Sequence, residues 1–180
     1  MADPSESAKQ VICEIIQANG NQFPGKTRLF KAFYFAHLYY WRDGEGVLTT
    51  YPIVRLPQGP GIDKGEDLLA ELMREGKIRI SHQFNGPYTE HSYELMRPVE
   101  VDVDSPRHRA LLQAVAFVES RTATDLSELT HENSRSWQEA SNGDALNIYI
   151  DLLDDCQYEA IQKRVKEMQE SAGGVFSDLS

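Results

Sequence analysis

Residues 27–42 read TRLFKAFYFAHLYYWR, and apolar or aromatic side chains fall on nearly every side of a helix drawn through them. A helix that is apolar most of the way round has neighbours on several faces, so this segment is expected to be the spine of the core. Its aromatics, Phe30, Phe33, Tyr34, Phe35, Tyr39, Tyr40 and Trp41, cannot share one helical face. Most are assigned to packing. Tyr39, Tyr40 and Trp41, at the C-terminal end, are candidate partner-binding residues, because Tyr and Trp dominate interface energetics. His37 is expected to be a core histidine satisfied by one hydrogen bond.

Upstream, SAKQVICEIIQA (7–18) places Val11, Ile12, Ile15 and Ile16 at helical spacing, with Ser5 or Ser7 as the expected N-cap and Asn19-Gly20 as the stop. A turn containing Pro24-Gly25 follows. Downstream, VLTTYPIVRL (47–56) is rich in β-branched residues, and Pro52 argues for an edge strand or an extended loop. Pro57-Gln58-Gly59-Pro60-Gly61 is read as a tight irregular turn leading into a helix. Asp63 is its expected cap, and Leu68, Leu69, Leu72 and Met73 form its apolar stripe. Lys77–Phe84 and Glu90–Met96 alternate in character around Asn85-Gly86-Pro87-Tyr88, which predicts a hairpin whose loop Pro87 lengthens beyond two residues.

Asp104 or Ser105 before Pro106 starts a helix to Ser120, and Thr122 and Thr124 open a short one through Leu126 and Leu129. Residues 144–171 are helical in pattern, with Tyr158, Ile161, Val165 and Met168 at 3-4-3 spacing. The fold class is therefore mainly α with a small β-hairpin (α+β): a helical bundle around a central aromatic helix, with a winged-helix-like hairpin. The expected organisation is a single domain over 1–172, with 154–172 as a helical extension and 173–180 as a flexible tail.

The chain has 180 residues, 41% apolar and 26% charged, and a formal charge of −10. No apolar run approaches the roughly 20 residues of a membrane-spanning helix, and the polar N-terminus carries no secretory pattern, so the expected location is cytoplasmic, with no membrane partner. The acidic balance opposes a large phosphate-binding surface, whereas it suits a protein partner with a basic face. Cys13 and Cys156 are expected to be free thiols, each buried in a helix.

Catalytic and metal patterns do not emerge. His37, His82, His91, His108 and His131 show no recognised zinc spacing; His82 and His91 are expected to face each other across the hairpin as a surface pair. Gly59-Pro60-Gly61 lacks the Gly-Lys-Ser/Thr of a phosphate loop, and no nucleophile elbow is present. The acidic pairs Glu66-Asp67 and Asp154-Asp155 fall at helix starts or solvated faces, where carboxylates usually do no acid/base work. The expectation is no catalytic residue, no metal and no cofactor.

Three segments carry a resemblance: Arg28-Leu29-Phe30-Lys31-Ala32-Phe33-Tyr34-Phe35-Ala36-His37; Gly59-Pro60; and Leu126-Ser127-Glu128-Leu129-Thr130-His131 followed by Trp137. In order and spacing, from about residue 8 to residue 153, the chain resembles the SocA-like antitoxin (Panacea) domain family, which includes phage-associated proteins. The resemblance implies an antitoxin that binds a toxin protein directly, or an adaptor that delivers a toxin to a protease. It marks Tyr34, Phe35, Gly59, Pro60, Thr130, His131 and Trp137 as signature residues, read here as structural: Thr130 and His131 bonding local backbone, Trp137 docking on the core. One departure is the stretch Ile53–Gln58, where the family tends to carry an aromatic residue and a Tyr before Gly-Pro. The alternative is a DNA-binding regulator whose phosphate contacts would be Arg74, Lys77, Arg79 and Arg97.

Overall fold

Asp3, rather than Ser5 or Ser7, caps the first helix: its carboxylate accepts from Ser5 N at 3.0 Å, and Pro4 takes the first turn, where its missing N–H is harmless. In this computed structural model, which describes residues 3–177, that helix is α1 (Pro4–Ala18). It is followed by a three-residue strand β1 (Gln22–Pro24), where the sequence suggested only a turn. The aromatic segment forms α2 (Lys26–Arg42), which packs against α1, two strands, two later helices and a 3-10 turn, as its all-round apolarity predicts. Leu29, Ala32, Phe33 and Ala36 are fully buried on it. His37 is buried too, but with two bonds: one ring nitrogen lies 2.8 Å from Phe33 O and the other 3.2 Å from Thr49 Oγ1. Burial lowers its pKa to about 4, so the ring stays neutral.

The segment 47–56 is a strand only over β2 (Ile53–Leu56), and Gly59-Pro60-Gly61 corrects the expectation of an irregular turn. These residues form β3 (Gly59–Ile62), which pairs antiparallel with β2, Leu56 opposite Gly59 and Arg55 opposite Pro60. The turn is Pro57-Gln58 alone. A two-residue loop makes Leu56 and Gly59 the hydrogen-bonding pair, so the next pair, Arg55 and Pro60, points its backbone groups away from the partner. Arg55 N accordingly bonds Asp144 O at 2.9 Å, and Pro60 loses nothing by having no N–H.

Helix α3 (Gly65–Arg74) is led in by Lys64 in a left-handed conformation, φ 45°, with no side-chain cap; Asp63 does not serve. Then come β4 (Ile78–Asn85) and β5 (Tyr88–Leu95), and β1 adds to β5 to make a three-stranded antiparallel sheet. Pro87 does not lengthen the hairpin loop. Gly86 takes φ 62° and proline's negative φ follows, the sign pattern of a two-residue II′ turn. His82 and His91 are directly opposed, ring centroids 4.8 Å apart, on the exposed outer half of the ribbon. Beyond them Phe84 is 81% exposed, though the same strand face buries Ile78 and Tyr93 nearer the body.

Helix α4 (Pro106–Glu119) is capped by Ser105, whose Oγ accepts from His108 N, and it lies along α2. Helix α5 (Ala123–Asn133) begins with a reciprocal capping box between Thr122 and Asp125. Then follow α6 (Arg135–Glu139), a 3-10 turn (Ile148–Leu152) and α7 (Asp155–Ser177). The 3-4-3 stripe of α7 faces solvent, with Ile161, Val165 and Met168 all exposed. The helix runs through 173–177, the first part of the segment expected to be a tail; residues 178–180 lie outside the described ones. Cys13 is buried and free, and Cys156 is exposed, against the expectation that both are buried.

Candidate functional site

Lys31 is the one charged residue in the run from Leu29 to Leu38, and it points inward: the residue is 1% exposed. Its ammonium nitrogen donates to Pro60 O at 3.3 Å and to Thr130 Oγ1 at 3.0 Å. Thr130 in turn donates to Leu126 O at 2.9 Å, so its oxygen is free to accept from the lysine. No described carboxylate bonds Lys31. Lys9 is the contrast: it is 3% exposed but sits among Glu6, Glu71 and Glu75, whose attraction outweighs the desolvation that opposes its charge and holds its pKa above the ordinary lysine range. Burial pulls Lys31 down to about 7.

Gly59 makes room for this amine. It takes φ 104°, a conformation that disfavours L side chains, and a Cβ there would lie 2.2 Å from Lys31 Nζ and 2.4 Å from Thr130 Oγ1. Pro60 contributes by being in the outward-facing register of β3, which aims its carbonyl at Lys31. The Gly-Pro pair is thus a socket for a lysine carried by α2 and closed by a threonine from α5.

Beside the socket opens a cleft of about 530 Å³. Phe30, Leu56, Pro57 and Ile62 give it apolar walls, Lys31 lies in its lining, and Lys26 pairs with Glu66 at its rim. The first turns of α2 and α3 both border it, and neither has a side-chain cap.

The third segment docks on the β2–β3 hairpin. Trp137 Nε1 donates to Leu56 O at 2.8 Å, and the Arg55 guanidinium lies 4.1 Å from the Trp137 ring centroid while Arg55 Nη1 donates to Trp137 O at 2.8 Å. His131 does not bond local backbone through its ring as expected; it stacks on Trp137 at 4.1 Å and 17°, and its buried Nε2 has no partner. Arg55, in the stretch that departs from the family pattern, therefore supplies the contact to Trp137.

Tyr34 lies one turn beyond Lys31. Its hydroxyl donates to Asp151 at 2.6 Å, and burial together with the Asp151 charge pushes its pKa well up, so it stays a donor. Asp151 also accepts from Ser134 Oγ, Ser136 N and Ser136 Oγ, all within 2.9 Å, binding the 3-10 turn to α2 and α6. Asp151→Ala leaves these donors without their acceptor and should cost about 2–3 kcal/mol, read as a lower urea midpoint at unchanged slope. Phe35 packs against Phe117, centroids 4.6 Å apart.

At the far end of α2 the three candidate partner residues separate. Tyr39 and Tyr40 are partly buried against the core, Tyr39 under the Arg42 guanidinium at 4.8 Å. Trp41 is 42% exposed and lies against Tyr149, centroids 4.3 Å apart. Of the basic residues read as phosphate contacts, Arg79 pairs with Glu94 and Lys77 with Glu75. Among the described residues no group of three or more potential metal ligands is present.

Lys31 and Asp151 are absent from the candidates read off the sequence. A single lysine within an apolar helix was a signal for the first, whereas Asp151 had none, being 117 residues from the tyrosine it holds.

Residues 29–138 match a family model described as Antitoxin SocA-like, Panacea domain. The span runs from α2 into α6 and contains Lys31, Tyr34, Gly59, Pro60, Thr130 and Trp137. No curated protein and no solved structure matches the chain.

Proposed function

The chain belongs to the SocA-like antitoxin, Panacea domain family, and we propose that it acts by binding a toxin protein directly and so neutralising it. The observation that carries this reading is the family match itself; of the residues the resemblance marks, Gly59, Pro60 and Thr130 meet at Lys31. The acidic balance of the chain favours a partner with a basic face. The contact surface in this reading is the aromatic end of α2, where Trp41 presents apolar area at little entropic cost and Tyr39 and Tyr40 are partly buried against the core. Handing the bound toxin to a protease is a variant of the same role. A cytoplasmic, non-enzymatic protein fits it, and no described helix is long and apolar enough to cross a membrane.

The DNA-binding alternative draws on α3 followed by the β4–β5 hairpin. Its weakness is charge: α3 exposes Glu66 and Asp67, and two of the four proposed phosphate contacts are already paired to glutamates.

The test is co-expression with the product of a neighbouring gene, scoring growth rescue and co-purification. Both are expected; duplex DNA binding that weakens steeply with salt, without either, would support the regulator instead. Trp41→Ala, shown by circular dichroism to be folded, should weaken the complex by about tenfold or more. Unchanged affinity would move the contact surface away from α2.

A further inference from the structure

We propose that the cleft beside Lys31 is a binding site for a carboxylate carried on a small apolar body. Lys31, in the lining of this cleft, carries an amine that the fold has buried without giving it an anion. Lys31 is as inaccessible as the core phenylalanines, yet its two acceptors are a carbonyl and a hydroxyl, both neutral. An ammonium has three N–H donors, so the charged form has one left over. Lys9 shows that this chain supplies glutamates where a buried lysine is to be held charged by the fold alone.

The surroundings match a carboxylate more closely than a phosphate. Charged groups near the opening are mixed: Lys26 is taken up by Glu66, Lys64 stands exposed at the start of α3, and Asp67 lies on the same turn. With Lys31 charged, three lysines stand against two carboxylates, a net single positive charge that matches a monoanion. The walls, Phe30, Leu56, Pro57 and Ile62, are those of a pocket for a short aliphatic or aromatic body, and about 530 Å³ is within the range of small-molecule sites. Gly61 and Gly65 keep it open: a Cβ on Gly61 would lie 2.4 Å from Leu56 Cδ1, and one on Gly65 2.4 Å from Phe30 Cζ. The first turns of α2 and α3, neither with a side-chain cap, border its edge. Two sources offer the same chemistry, a free organic acid and the C-terminal carboxylate of another chain.

The experiment follows the Lys31 side-chain nitrogen by NMR in the full chain while pH is varied, alone and with four probes: isovalerate, isovaleramide, a tetrapeptide ending in a free valine, and the same peptide amidated. The expected result is that one or both acids raise the Lys31 titration midpoint by about one to three pH units and the amides leave it where it was. Isovalerate acting assigns the site to free acids; the peptide acid acting alone assigns it to a chain terminus. No movement with either acid at millimolar concentration overturns the proposal, as does equal movement with acid and amide. Lys31→Met, verified as folded by circular dichroism, should lose the binding at least tenfold, measured calorimetrically; retained binding in a folded variant also overturns it. Because the readout is Lys31 itself, the result is independent of whether the chain neutralises a toxin.

Discussion

Gly59→Ala should lower the stability of the fold by about 3–5 kcal/mol. Two costs combine. A backbone held at φ 104° is one that an L residue adopts only with strain of about 1–3 kcal/mol. The new Cβ would also stand 2.2 Å from Lys31 Nζ, 2.4 Å from Thr130 Oγ1 and 3.3 Å from Thr130 Cβ, so the amine must leave its socket and surrender both of its bonds. Urea denaturation followed by circular dichroism measures the loss. Gly20→Ala is the control: it shares a positive φ, 79°, but has nothing within 4 Å of the added carbon, and should show the backbone strain alone. Equal losses at 59 and 20 would mean that the socket does not constrain the fold.

Between pH 7 and 10 the stability should climb, through Lys31, by about 3–4 kcal/mol. Burial lowers its folded pKa to about 7 from the ordinary lysine value of 10.5. Within that window the unfolded chain binds a proton that the folded chain does not, so protons favour unfolding and stability rises as they are removed. Below about 7 both states are charged and the full cost of the buried ammonium persists; above 10.5 both are neutral and the cost is gone. Other lysines and tyrosines titrate over the same range, so the measurable quantity is the difference in urea stability between the native chain and Lys31→Met as pH rises. That difference should shift towards the native chain. A flat difference would show that Lys31 is not held neutral, and would also remove the basis of the site proposed beside it.

The helices were legible because their signals are local. The all-round apolarity of α2, the Ser105-Pro106 start of α4 and the Thr122 cap of α5 each lie within a few residues of what they determine. Strands fared worse where the partner is distant or the residues themselves favour a turn. β1 is only three residues long and exists because β5 lies beside it, and β3 is made of residues whose local preference is to turn. Pro60 is tolerated in a strand because the register points its nitrogen outward, which no property of Gly59-Pro60-Gly61 alone reveals. The apolar stripe on α7 was read correctly as periodic, but periodicity does not say whether a face is covered, and this one is not. The signature residues could be placed in order, yet not joined: Lys31 reaches a carbonyl 29 residues away and a hydroxyl 99 residues away, and only folding brings the three together.

That junction has a consequence for how such a chain can change over generations. The amine at 31, the missing side chain at 59 and the hydroxyl at 130 occupy one small volume, so the fitness of any letter at one position depends on the letters at the other two. A lineage in which Lys31 is replaced by a shorter residue would release position 59 from glycine, and loss of the hydroxyl at 130 would favour loss of the amine. Exchanges at these sites should therefore arrive together or in quick succession.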